Sequence, residues 1–327
     1  MQNYEMNAQT KQLMVFFNDN YVPFTTYHLN KEIKIFLGNE KERVCRFCNK
    51  DESETTFSTI AHAIPEFIGN KKLVANYECD ACNSKFSRLL ESHMGNYMNL
   101  WHTLSQVKGK RSVPSFKTIN DKSRIDIGSK NVEIAEYTDD NIISVDPETK
   151  TITFTAKKRS YVPIAVYKTL TKMALTIMPE SELIDYKTTM AWINEENHQE
   201  SPQNLKNLIV FMSIAGGIRP IPFVSCMLFK RKDDHKNPVP NMLFVLAYSN
   251  FVFQIYLPLS KADLKLQGGT MELSYCPTFL DLEGVYLTRK QLNMSDKEKV
   301  VEEEEKIEMQ FEHMEHIPVP QKTDRND

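Results

Sequence analysis

The sequence predicts an α+β fold, in which a short cysteine-rich module precedes a mixed domain with a long helix and an antiparallel sheet. Two Cys-x-x-Cys pairs, which begin at Cys45 and Cys79, mark the module. Apolar residues at helical spacing over 161–178 predict the long helix. Strand-like runs that follow one another with short joins over 208–257 predict the antiparallel sheet.

Length and composition indicate an ordinary globular protein with room for two domains. Of the 327 residues, 41% are hydrophobic and 25% are charged, and a chain of this length can bury a real core. No apolar run reaches the roughly 18–20 residues that a membrane helix needs, and residues 1–6 lack a signal-peptide pattern. We therefore expect a cytoplasmic protein with reduced thiols, in which Cys226 and Cys276 are core residues.

The N-terminal third divides into a lead-in and the cysteine-rich module. Residues 1–40 form the lead-in, whose apolar run at 33–37 is predicted to be a strand. Residues 41–105 form the module, where a turn at Gly69 and Asn70 separates two short extended pieces. After Asn83 the apolar residues recur at spacings of three and four, which predicts a helix. These residues are Phe86, Leu89, Leu90, Met94 and Met98.

Residues 106–290 are predicted to form a separate α+β domain that targets or regulates the module. Residues 141–154 suit a β-hairpin with its turn at 146–150. The long helix has Pro163 in its first turn and is ended by Pro179. The strand-like runs cover residues 208–214, 223–230, 242–248 and 251–257.

Charge is distributed unevenly along the chain. Residues 291–327 form an acidic, partly disordered tail, part of which is expected to be helical, with disorder at 318–322. Basic residues instead follow the second cysteine pair, among them Lys108, Lys110 and Arg111. The net charge of −3 therefore masks a basic N-terminal half. A basic face of this kind attracts phosphate backbones.

The two cysteine pairs match the ligand set of a structural zinc ion. Four thiolates in two pairs, with 30 residues between the pairs, can surround one ion tetrahedrally. The expected zinc ligands are Cys45, Cys48, Cys79 and Cys82. An ion closed by four thiolates has no open coordination position, so it stabilises the fold and any chemistry needs a second site.

The residues between and after the cysteine pairs resemble the HNH, or ββα-metal, endonuclease family. Between the pairs the chain reads Ala-His-Ala-Ile-Pro-Glu at 61–66 and then Gly69, and the second pair is followed by Asn83 and Phe86. This order is similar to the branch with four cysteine ligands, which includes endonuclease VII-like and bacterial HNH endonucleases. The resemblance covers roughly residues 43–98 and implies a metal-dependent nuclease.

The resemblance also implies roles for individual residues. His62 corresponds to the general base that activates a water molecule for attack on phosphorus. Asn83 corresponds to the residue whose amide oxygen holds the catalytic Mg²⁺ or Mn²⁺. The asparagine that orients the histidine loop is either Asn70 or Asn76.

The sequence departs from many family members at Ala61, where an aspartate would bind the catalytic cation. A carboxylate must then come from elsewhere, and Glu91 is the candidate that we include in the catalytic set. Glu66 and Asp80 are alternatives. Glu91 could instead support His62 or the zinc site.

These observations favour an endonuclease that hydrolyses phosphodiester bonds in DNA, with RNA as an alternative substrate. By analogy with appended domains, a bacterial antiviral-defence or restriction-like role is expected. Two other classes stay open: a non-catalytic zinc-bound nucleic-acid adaptor, and a ligand-sensing protein controlled through the C-terminal domain. Nucleic acid is the expected partner and a membrane is not, while homo-oligomerisation and a small-molecule or protein activator stay open.

Overall fold

A computed structural model describes residues 8–30, 32–118, 123–127, 132–135, 141–200, 205, 207–266, 269–282 and 285–312. The α-helices in these ranges are α1 Ala8–Asn20, α2 Asp80–Phe86, α3 Ser92–Leu104, α4 Pro163–Ile177, α5 Glu180–Leu183, α6 Lys187–Asn194 and α7 Phe279–Leu282. The strands are β1 Tyr21–His28, β2 Ile35–Leu37, β3 Leu73–Ala75, β4 Phe116–Lys117, β5 Arg124–Ile127, β6 Val132–Ala135, β7 Ile143–Asp146, β8 Thr151–Lys157, β9 Ile209–Ala215, β10 Ile221–Arg231, β11 Met242–Ser249, β12 Phe251–Tyr256, β13 Leu287–Asn293 and β14 Glu304–Gln310.

The main sheet is antiparallel, with the strand order β1-β10-β11-β12-β9-β13. Its strands β9 to β12 confirm the four strand-like runs, and the mixture of helices with antiparallel sheets confirms the α+β class. Strands β11 and β12 are buried almost throughout because both of their faces are covered. One face packs into the core that contains α4, and the other packs against Phe17 of α1 and Leu280 of α7.

Helix α4 confirms the long helix and lies in the centre of the molecule. Pro163 occupies its first turn and Pro179 follows two residues after its end. All of its residues are buried, because the main sheet covers one side and the cysteine-rich module covers the other. The apolar stripe in the sequence did not predict this all-round burial. No helix in the described ranges is long and apolar enough to cross a bilayer.

The acidic tail contains a strand where part of it was expected to be helical. Strand β14 pairs with β8, which itself pairs with β7 in the predicted hairpin. Glu305 and Ile307 are buried while their neighbours are exposed, which is the period-two pattern of a strand. Lys158 accommodates the buried Glu305, since its Nζ lies 2.7 Å from that carboxylate. The predicted disorder at 318–322 falls outside the described residues.

The lead-in and the module both pack against the rest of the structure. Strand β1 from the lead-in forms one edge of the main sheet, and β2 confirms the strand predicted at 33–37. The core of the module is continuous with the core around α4. The division at residues 40, 105 and 290 therefore stays a prediction about folding units.

Candidate metal centre and nuclease site

The four cysteine sulfurs converge on one point. Their Sγ atoms all lie within 4.8 Å of one another, and those of Cys48 and Cys79 are 3.7 Å apart. A tetrahedral zinc site with Zn–S bonds of about 2.3 Å places its sulfurs about 3.8 Å apart. The spacing therefore indicates a structural zinc site, which fits the predicted ligand set.

Local backbone structure holds these thiols in place. Cys79 caps the N-terminus of α2, where its Sγ accepts a hydrogen bond from the N–H of Cys82. The N–H of Cys79 in turn donates to Sγ of Cys45. Hydrogen bonding from the Cys82 side chain and from backbone N–H groups lowers the pKa of Cys45 to about 4, against the effect of burial. Cys45 therefore favours the thiolate form that binds metal, whereas burial raises the pKa of Cys48 and the hydrogen bond with Cys45 raises the pKa of Cys82.

His62 lies on the first strand of a small hairpin. It sits opposite Val74 of β3, and the backbone ladder continues through Ala63 N–H to Leu73 O (3.0 Å) and Ala75 N–H to Ala61 O (2.8 Å). Together with α2 and the helices that follow, this hairpin gives the order β, β, α that the resemblance implies. The imidazole is half-buried at the surface of the module.

The surroundings of His62 keep its imidazole neutral at pH 7. Burial lowers the pKa of His62 below its ordinary value of 6.5, and the carboxylate of Glu66 only partly opposes this effect. The positive charges of Lys34, Lys172 and Lys110 lower the pKa further. A neutral imidazole can accept a proton, which is the state that a general base requires.

Asn70 holds the two strands of the hairpin together. Its Nδ2 donates to the carbonyls of Ile64 (2.6 Å) and Leu73 (3.2 Å), and its Oδ1 accepts from the N–H groups of Lys72 (2.9 Å) and Leu73 (3.0 Å). The side chain is 1% exposed. Asn76 bonds through its backbone to Leu37 instead. Of the two candidates, Asn70 is therefore the one whose side chain braces the hairpin that carries His62.

We expect Asn70→Ala to lower the free energy of unfolding by about 2–3 kcal/mol, because it leaves buried backbone groups without partners. Asn76→Ala is the matched control and should cost well under about 1 kcal/mol, since its described bond is made by the backbone. Urea unfolding measures both values. Equal losses in the two variants would contradict the role of Asn70.

Asn83 and Glu91 lie on the helices that follow the second cysteine pair. Asn83 is in α2, and Glu91 ends a π-helical turn, Ser87–Glu91, that joins α2 to α3. A π-turn accommodates one extra residue, so residues 83 and 91 fall close to two full turns apart on the same helix face. Two turns separate the residues by about 11 Å along the axis. A single cation cannot bind both side chains directly across that distance.

The carboxylate of Glu91 belongs to a buried charge cluster, formed by Lys172 of α4 with Glu78 and Glu91. The Lys172 Nζ lies 2.9 Å from Glu78 Oε2 and 3.7 Å from Glu91 Oε1. Burial raises the pKa of Glu78 to about 7, even though Lys172 opposes this, and burial also raises the pKa of Glu91. The two carboxylates outweigh burial and raise the pKa of Lys172, so its amine stays charged.

The sequence reasoning missed Glu78 and Lys172. Their side chains are 0% and 1% exposed, yet nothing in the local pattern separates them from surface glutamates and lysines. The rings of Phe47 and Phe86 flank the Lys172 amine at 5.9 and 5.8 Å. The cluster therefore links the metal centre to the central helix through charge and through aromatic contact.

The other candidate carboxylates have separate surroundings. Asp80 accepts hydrogen bonds from the hydroxyls of Thr56 and Thr59, and these outweigh burial and lower its pKa. It therefore ties the loop before His62 to the start of α2. Glu66, in a short 3-10 turn, is the acidic group whose charge acts on His62.

Within the described ranges, the four cysteines are the only cluster of three or more cysteine, histidine or acidic ligand groups close enough to hold one ion. His62, Glu66, Asp80 and Glu91 do not form a second cluster of this kind. A further cation bound beside His62 would therefore depend on few protein ligands.

The site defines a ββα module with a four-thiol metal centre and a histidine on its hairpin. Residues 45–99 match the family model for HNH endonuclease. The chain therefore carries an HNH endonuclease module, and its four-cysteine cluster is consistent with the branch that binds zinc through cysteines. No curated protein and no solved structure matches the chain.

Proposed function

We propose that the protein is a metal-dependent HNH endonuclease that hydrolyses phosphodiester bonds in DNA. The observation that supports this best is the half-buried, neutral His62 on a hairpin that Asn70 holds together, in the same module as the four-cysteine metal centre. Free thiols suited to metal binding fit a reducing compartment such as the cytoplasm. A role in bacterial defence rests on analogy alone.

His62 would remove a proton from the water that attacks phosphorus, and Asn83 would hold Mg²⁺ or Mn²⁺ through its amide oxygen. Such a cation would supply stabilisation of the charge that develops on the phosphate and on the leaving 3′-oxygen. Mg²⁺ usually keeps several waters and binds one or two protein oxygens together with substrate phosphates. A site with a single amide oxygen, and with Glu91 engaged by Lys172, is compatible with that weak mode of binding.

The geometry supports a positioning role for Glu91 better than direct binding of the cation. Its carboxylate faces Lys172, and through that amine it contributes to the contact between the module and α4. Glu66 then stays the acidic candidate beside His62. We propose that Cys45, Cys48, Cys79 and Cys82 hold a zinc ion that stabilises the module without taking part in the chemistry.

Cleavage of a supercoiled plasmid in the presence of Mg²⁺ or Mn²⁺ tests the proposal. We expect His62→Ala to slow cleavage by about 10²–10⁴-fold, the usual contribution of a general base. His235→Ala is the matched control, because His235 bonds within its own loop beyond β10 and should leave the rate unchanged. Zinc content is measured in all three proteins.

Cleavage by His62→Ala at the wild-type rate would contradict the assignment of the base. If zinc-loaded wild-type protein binds DNA but does not cut it, the non-catalytic adaptor becomes the better description.

A further inference from the structure

A cleft with a volume of about 430 Å³ lies where the His62 hairpin meets the main sheet. One wall is the hairpin turn, residues 68–72, and a second is the loop after α3, residues 106–108. The opposite wall comes from Arg219 and the first residues of β10, together with Ser249 at the end of β11. The module and the main sheet therefore form this cleft together.

The cleft is strongly basic although the whole chain is slightly acidic. Four cationic side chains line it, namely Lys71, Lys72, Lys108 and Arg219, against the single carboxylate of Glu32. Glu32 is 97% exposed where it meets Lys72 at 3.2 Å, so it offsets little of the positive charge. A concave surface lined by one sign of charge concentrates anions.

Unusual backbone conformations collect at the same place. Gln106, Arg219 and Ser249 have φ angles of 52°, 49° and 52°. These lie in the left-handed region, which residues other than glycine, asparagine and aspartate rarely adopt. The Arg219 guanidinium donates to the carbonyl of Gln106, and Ser249 Oγ donates to the carbonyl of Ser105. Each such conformation costs about 1–3 kcal/mol, and they cluster at binding and catalytic sites.

One residue that lines the cleft, Lys72, lies close to His62 along the hairpin. Lys72 lies two residues before Val74, the cross-strand neighbour of His62, which is about 7 Å along a strand. Each strand of a duplex carries one phosphate per 3.4 Å of helix axis, so this distance corresponds to about two base-pair steps along that axis. Lys71 Nζ also donates to the carbonyl of Lys110 (3.0 Å), which connects the hairpin turn to the basic loop.

We propose that this cleft holds the phosphodiester backbone of the nucleic-acid strand next to the bond that is cut. Lys108 and Arg219 lie outside the hairpin. They then position the nucleic-acid strand across the boundary between the module and the main sheet. The inference rests on the proposed nuclease function and extends it, because it gives the main sheet a direct part in substrate binding. A free mononucleotide is the alternative occupant.

The test measures binding of a fluorescein-labelled 30-base-pair duplex to the full-length, zinc-loaded His62→Ala protein over a range of salt concentrations. Adding Lys108→Glu and Arg219→Glu should weaken binding at least about tenfold and reduce the salt slope by about 2, because two phosphate contacts are lost. Equal zinc content and equal melting temperatures confirm that the variants fold.

A matched control makes the same change of charge at the far end of the sheet. Lys261 and Lys265 lie in a short helical turn beside Asp263, which pairs with Arg231 at the end of β10. An 11-residue strand places that end about 30 Å from the cleft. Lys261→Glu with Lys265→Glu should change the affinity less than about twofold.

The outcomes separate this inference from the function on which it rests. Plasmid cleavage by wild type, together with equal affinity and salt slope in the cleft and control variants, would overturn the cleft proposal alone. Absence of both cleavage and DNA binding would overturn both proposals. If AMP binds and the cleft variants abolish its binding while DNA affinity is unchanged, the cleft takes a small ligand and the strand proposal is wrong.

Discussion

Removal of the metal from the four-cysteine centre is expected to unfold residues 45–99 and to abolish any cleavage. In small zinc modules the free energy of metal binding, about 10–16 kcal/mol at pH 7, is also folding free energy. Here the sulfurs lie within 4.8 Å of one another, and three of the four cysteines are buried. Without a cation, thiolates at this spacing repel one another and lose solvation.

The test compares Cys79→Ser with Cys276→Ser. Both cysteines are buried, but Cys276 lies under the other face of the main sheet and is not part of the centre. We expect one zinc per chain in wild type and in Cys276→Ser, and none in Cys79→Ser. Trypsin should then cut the zinc-free protein within residues 45–99. Zinc retained in Cys79→Ser, or unchanged resistance to trypsin in zinc-free protein, would contradict the assignment.

Replacement of Lys172 by methionine is expected to lower the free energy of unfolding by about 3–5 kcal/mol. The change leaves Glu78, and with it Glu91, in a buried site without a compensating cation, which is the costly way to break a buried ion pair. Lys157→Met is the matched control, because Lys157 pairs with Glu302 at the surface and should cost less than about 1 kcal/mol.

A double variant separates charge from packing. Lys172→Met combined with Glu78→Gln removes the uncompensated carboxylate, so part of the lost stability should return. Urea unfolding with zinc present measures all four proteins. Equal costs for Lys172→Met and Lys157→Met, or no recovery in the double variant, would show that the cluster does not act through its charges.

The contacts around Lys172 belong to a wider interface between the module and α4. Arg46, inside the first cysteine pair, donates from Nη1 to the carbonyls of Leu175, Thr176 and Met178 (2.8–2.9 Å) at the C-terminal end of α4. The hydroxyl of Tyr77 donates to the carbonyl of Thr176. Deleting residues 106–290 would remove α4 and expose the surface of the module that packs against it. Point variants therefore test regulation by the main sheet more cleanly than truncation does.

The sequence by itself determined the features that are encoded locally. Cysteine spacing identified the metal centre, and the residues around His62 identified the module. Apolar residues at helical spacing located α4, and strand-like apolar runs located strands β9 to β12. These signals succeed because they depend on residues a few positions apart, where the periods of helices and strands apply.

Tertiary structure alone decided the features that join distant parts of the chain. Lys172 becomes a buried partner of Glu78 only because α4 packs against the module, and Glu305 is buried only because β14 pairs with β8. The basic cleft likewise unites Lys71 with Arg219. Local sequence patterns predict surface positions for Lys172, Glu78 and Glu305, since the burial of a charge depends on partners that only the folded chain brings near.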